Sequence, residues 1–182
     1  MQQQERNRLD VADAVVRPSL ETVVDTLQTQ IKAIKVQIRR QIDEHPQLRD
    51  KRELLKAIPG IGPASIPLVL AYFGAVIERF ADVRALVAYL GLNPCQHESG
   101  SSVRHPARIS HMGPALLRKG LFLPTVVACH HNPLIQAFYE RLRAAGKPGK
   151  VAVIAAMRKL VHIIYGVLKS GKPFDPARHL AA

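Results

Sequence analysis

Leu20, Val24, Leu27, Ile31, Ile34, Ile38 and Ile42 recur at spacings of four and three along residues 20–42. A helix of 3.6 residues per turn gathers such positions into one narrow stripe, so the segment reads as a long helix with a seam of about three heptads. Glu21, Asp25, Lys32, Lys35 and Arg39 fall off the seam and keep the rest of the surface wet. A stripe this narrow suits a partner helix better than a globular core and predicts a homo-oligomer joined by a coiled coil. Packing onto its own domain is the alternative. His45-Pro46 ends or kinks the helix, since proline lacks an N–H and disfavours helical geometry in the residue before it.

Downstream, helical patterns cover about residues 48–57, the apolar stretch through Ala71, then 84–90, 114–129, 133–144 and 151–168. No alternation of apolar and polar residues is long enough to argue a sheet. The expected class is mostly α: an N-terminal arm and coiled-coil helix over residues 1–47, then a helical domain over 48–182. The apolar run from Ile66 to Ile77 is too short to cross a bilayer, and MQQQERNRLD has no apolar signal region. The expectation is a soluble, cytoplasmic protein with no membrane partner.

Charge is distributed unevenly. Residues 1–98 carry 13 Lys and Arg against 12 Asp and Glu, whereas residues 99–182 carry 13 against 2. The second half therefore holds nearly all of the net +12 and points to a phosphate backbone, without choosing between DNA and RNA. Cys95 and Cys129 are too few and too far apart for a disulfide framework. With His97, His130 and His131 they could converge on a metal, but neighbours at 129–131 would face different sides of a helix, and no metal site is expected.

In LLKAIPGIGPAS, Gly60 and Gly62 permit a tight elbow whose N–H groups open the next helix. The stretch, within about residues 54–75, resembles a helix-hairpin-helix, in which such a turn holds the DNA backbone without reading bases. A packing elbow between core helices is the plainer alternative. Pro67, taken as one turn into the second helix, predicts a kink there.

Read together, IPGIGPASIPLVLAYFG, FADVRALVAYLGLNP and ESGSSVRHPARISHMGPALLRKGLF resemble the C-terminal domain of the DEDD-type insertion-sequence transposases. These are relatives of the Piv DNA invertase and are bridge-RNA-guided recombinases. The resemblance implies DNA as partner, a structured guide RNA, and a serine beside glycine that attacks DNA phosphate. The matching position is Ser99, in a serine loop at about residues 95–110, with Ser101 and Ser102 as rivals. A hydroxyl on a glycine-adjacent loop can approach a phosphodiester in line, and Arg104 and Arg108 can neutralise the phosphate oxygens. The expected nucleic-acid contacts are Gly60, Ile61, Gly62, Gly100, Arg104, Arg108, Arg118 and Lys119. His111 and Pro114 stand where the family usually has lysine and asparagine, which weakens the local contact.

The same resemblance implies magnesium, held by an acidic RNase-H-like domain ahead of the coiled-coil helix. This chain is expected to lack that domain, and to bind better than it cuts. Two rival readings remain: a non-catalytic helix-hairpin-helix module that grips DNA or RNA, and a coiled-coil scaffold whose charge serves solubility.

Overall fold

The computed structural model describes residues 1–74, 77–99, 103–110 and 112–177. It divides into two compact units, residues 1–46 and 47–182.

In the first unit, α1 (Gln2–Asp10) packs on α2 (Arg17–Glu44). At 28 residues α2 is about 42 Å long. Pro18 sits in its first turn, where a missing N–H costs nothing, and the extended His45 stops it ahead of Pro46. Val24 and Ile42 on the seam are buried and Leu20, Leu27 and Ile31 half-buried, while Ile34 and Ile38 remain 51% and 40% exposed. An uncovered apolar strip thus lies in the middle of the seam.

The second unit runs α3 (Pro46–Lys56), α4 (Ile66–Phe73), a 3-10 turn (Ile77–Arg79), α5 (Val83–Tyr89), β1 (Pro94–Ser99), β2 (Val103–Ile109), α6 (Ala115–His131), α7 (Pro133–Ala144) and α8 (Gly149–Ser170). Helix α8 is the core: nine of its residues, from Ala152 to Leu168, are buried, and α5, α6 and α7 pack around it. It is long and apolar enough to cross a membrane by length and composition, but it fits here as a core helix because most of it is covered by protein.

Local chemistry sets the boundaries. Asp82 caps α5, its carboxylate accepting from the Ala85 N–H at 2.8 Å. Asn132, fully buried, caps α7 by accepting from the N–H groups of Leu134 and Ile135, and its amide donates to the Pro59 carbonyl at 3.5 Å. The Tyr165 hydroxyl donates to the Phe80 carbonyl at 3.2 Å and secures the turn before α5.

Two sequence expectations need correction. Helix α4 begins at Ile66, so Pro67 lies in its first turn, where proline is accommodated, and no kink follows from it. The segment expected to be a serine loop is a two-stranded antiparallel ribbon, pairing Pro94 with Ile109, Cys95 with Arg108, His97 with His105, Glu98 with Arg104 and Ser99 with Val103. An irregularity between Cys95 and His97 shifts the register.

Candidate nucleic-acid interface

The elbow between α3 and α4 has two different sides. On its inner side Ile58 and Ile61 are buried, and Gly60 adopts φ +103° against α6. A Cβ at Gly60 would come within 2.6 Å of the Ala128 Cβ and 2.8 Å of the Pro124 carbonyl oxygen. Glycine is thus required by conformation and by space. The Ile61 N–H is already given to the Ile58 carbonyl at 3.0 Å. Gly60, expected to touch nucleic acid, therefore seats the elbow on α6, and Ile61, expected with it, is buried.

The outer side is open. Pro63 and Ala64 are exposed, and a Cβ at Gly62 would meet nothing within 4 Å. The Gly62 carbonyl accepts from the N–H groups of Ser65 and Ile66 and from the Ser65 hydroxyl, which fixes the turn into α4. Among the described residues the N–H groups of Gly62 and Ala64 donate to no backbone carbonyl outside the helices. Two amides ahead of an eight-residue helix are what a phosphate oxygen can use.

Helix α6 borders both the elbow and the foot of the ribbon. Ile109, the last residue of β2, shares a cleft with Arg118, Lys119 and Phe122, while Gly60 rests on the turn from Pro124 to Ala128. The two features lie roughly two turns apart on one helix, about 10 Å of rise. Lys119 is exposed on the same stretch.

Arg118 has a structural task that the sequence does not announce. Its Nη1 donates to the Leu90 carbonyl at 3.0 Å and to the Gly113 carbonyl at 2.6 Å, pinning the start of α6 to the end of α5. Gly113 is itself forced: a Cβ there would come within 2.1 Å of the Tyr89 carbonyl oxygen. The guanidinium is therefore a brace for the segment that leads out of the ribbon. Arg118→Ala is expected to cost about 2 kcal/mol of stability, the range for hydrogen bonds from a charged donor, as read by chemical denaturation.

Ser99 is the last residue of β1 and forms the closing pair of the ribbon with Val103. Gly100, Ser101, Ser102 and His111 lie outside the described residues, as do the side chains of Ser99, Arg104 and Arg108, whose backbones alone are placed by the register. A two-stranded ribbon is marginal by itself, so its anchorage matters. That anchorage is at the foot, where the Ser110 N–H donates to the Asn93 carbonyl at 3.1 Å and Pro94 and Ile109 line a cavity together with residues of α8.

Among the described residues no group of three His, Cys, Asp or Glu could hold a metal. Cys129 is buried, which pushes its thiol pKa up and keeps it neutral, while His130 and His131 point to solvent. Asp82 is used as a cap, and Glu140 accepts from the Gln136 amide at 3.0 Å.

His162 is half-buried and lines a cavity on α8. Burial, with Arg158 and Lys159 adding positive charge, holds its pKa below the usual 6.5. The folded state then binds fewer protons than the unfolded chain once pH drops under about 6.5. The stabilising contribution is present above that pH and is lost as pH falls through the folded-state value. Melting temperature should drop from pH 7.5 to pH 5.5, and His162→Gln should flatten the drop.

Residues 52–140 match the model of the transposase IS116/IS110/IS902 family. The chain is similar to the pilin gene-inverting protein of Moraxella bovis, 33% identical over 176 residues that cover 96% of this chain and 54% of that protein. It is also similar to the probable family 20 transposase of Pseudomonas aeruginosa, 30% identical over 165 residues, 86% of this chain and 46% of the other. An uncharacterized 43.6 kDa protein of insertion element IS110 from Streptomyces coelicolor is 26% identical, covering 88% of this chain and 38% of that protein. The chain spans about half the length of the curated relatives it matches or less.

Proposed function

We propose, with residues 52–140 matching the model of the transposase IS116/IS110/IS902 family, that this chain serves DNA transposition or recombination as the part that grips DNA and presents a serine hydroxyl. The observation that carries the reading is the elbow's open side. The free-standing amides of Gly62 and Ala64 lie at the N-terminus of α4, and α6 joins them to the foot of the ribbon that ends in Ser99. The excess of cations after residue 98 supplies the long-range attraction. The grip is to the sugar-phosphate backbone and carries no sequence information, so choice of target falls to another component, for which a structured guide RNA is the proposal.

In the proposed step the Ser99 oxygen attacks a DNA phosphorus and the 3′ or 5′ oxygen of the strand leaves with a proton, giving a phosphoserine link that a second strand end reverses. Arg104 and Arg108, on the strand after Ser99, are proposed to steady the phosphate oxygens. The magnesium implied for such enzymes finds no carboxylate cluster among the described residues, so no step of this chain runs through it. The uncovered strip at Ile34 and Ile38 supports self-association through α2.

Gly62→Asp tests the grip, because a side chain there has room and the new carboxylate would face the incoming phosphate. Stability should be unchanged, while affinity for duplex DNA at low salt should fall about tenfold, the effect of one misplaced charge at a phosphate contact. Wild-type affinity in a fully folded Gly62→Asp protein would leave the elbow as packing alone.

A further inference from the structure

A cavity of about 570 Å³ opens at the foot of the ribbon, a size within the range of ligand sites. Its floor is α8, where Ile154, Arg158 and His162 stand in one row at four-residue spacing, with Lys159 alongside. Phe138 of α7 forms a wall, and Pro94 and Ile109 bring in both strands of the ribbon. The lining combines aliphatic and aromatic side chains with Arg158, Lys159 and His162, and among the described residues it includes no carboxylate. The Lys159 Nζ and the Arg141 guanidinium carbon lie over the Phe138 ring, 5.2 Å and 5.3 Å from its centre, so cations adjoin the ring.

A matching ligand has a flat, weakly polar body with an anion attached at short range. We propose that the cavity receives one unpaired nucleotide of the bound DNA strand, its base against Phe138 and Ile154 and its phosphate at Arg158 and Lys159. This rests on the reading of the chain as a DNA-holding domain and adds a preference to it. Ordinary paired DNA offers no such group, whereas a base already out of the stack enters at little cost. The position is meaningful because the same two residues, Pro94 and Ile109, that close the ribbon at its foot also border the cavity. A nucleotide seated there would fix the strand relative to Ser99 without touching it.

The test compares two end-labelled duplexes that differ by one bulged 2-aminopurine, titrated with the full chain. The bulged duplex should bind about tenfold more tightly, within what one stacked base contributes, and 2-aminopurine emission should be quenched on binding. Ala155→Phe, which fills the cavity from α8, should abolish the preference and the quenching while keeping affinity for the paired duplex. Arg158→Gln should weaken the preference in the same sense and stands in if Ala155→Phe does not fold. Equal affinity of the wild type for both duplexes overturns the cavity proposal and leaves the backbone grip standing. Preference unchanged in both variants also overturns it, and failure to bind either duplex overturns the grip and the cavity together.

Discussion

Ser99→Ala is expected to reduce the proposed strand exchange by at least about a thousandfold, while DNA affinity stays at the wild-type value. Removing a nucleophile eliminates the covalent route entirely, and residual rates then come from binding and orientation alone. Affinity should not move because the proposed grip belongs to Gly62, Ala64 and the cations of the second half, none of which the substitution touches. The ribbon should also persist, since Ser99 contributes a backbone pair with Val103 that alanine preserves. The direct readout is an SDS-resistant protein–DNA adduct formed on a nicked duplex, present for wild type and absent for Ser99→Ala. An adduct of undiminished yield would move the nucleophile to Ser101 or Ser102, or remove it from the segment altogether. Strand exchange at the wild-type rate would favour the non-catalytic binding module.

Why Ser99 was legible as a candidate while its setting was not follows from the kind of information each required. The helices of the second unit showed themselves through 3.6-residue periodicity, and their starts are set by caps such as Asp82 and Asn132, which act within three residues. The ribbon has no such signal. Its strands, PCQHES and VRHPARI, lack alternation and include Pro106, and each has only the other as neighbour, so no face has to be continuously apolar. Pairing across the tip is a tertiary fact that composition does not encode. The bracing role of Arg118 was hidden for a related reason. A basic residue in a basic segment resembles a phosphate contact, and only the approach of the Leu90 and Gly113 carbonyls reveals a brace. That approach depends on Gly113 lacking a Cβ, so the glycine before the helix was the available clue. The cavity on α8 left a fainter trace: Arg158, Lys159 and His162 interrupt an otherwise apolar helix on one side, which periodicity alone assigns to a wet boundary.

The elbow separates its two roles in a pair of neighbouring glycines, and Gly60→Ala should give the larger change in stability. A side chain at φ +103° carries backbone strain of about 1–3 kcal/mol. The added Cβ also meets the Ala128 Cβ and the Pro124 carbonyl oxygen at distances real contacts do not reach, and overpacking of this kind costs about 1–3 kcal/mol more. The obstruction is main chain on one side, so it cannot be relieved by turning a side chain. Pro124 lies inside α6, and the neighbouring Thr125 hydroxyl donates to the Leu121 carbonyl at 2.7 Å, which holds that turn in place. A loss of about 4 kcal/mol is therefore expected, or about 8–16 °C in melting temperature for a chain of 182 residues. Ala128→Gly in the same background should return part of the packing loss and none of the strain, so a double-mutant cycle should show coupling of about 1 kcal/mol. Gly62→Asp, two residues away, should leave the melting temperature alone and weaken DNA binding. If Gly60→Ala melts with the wild type, the elbow is not seated on α6 as described, and the joint placement of elbow and ribbon on that helix loses its support.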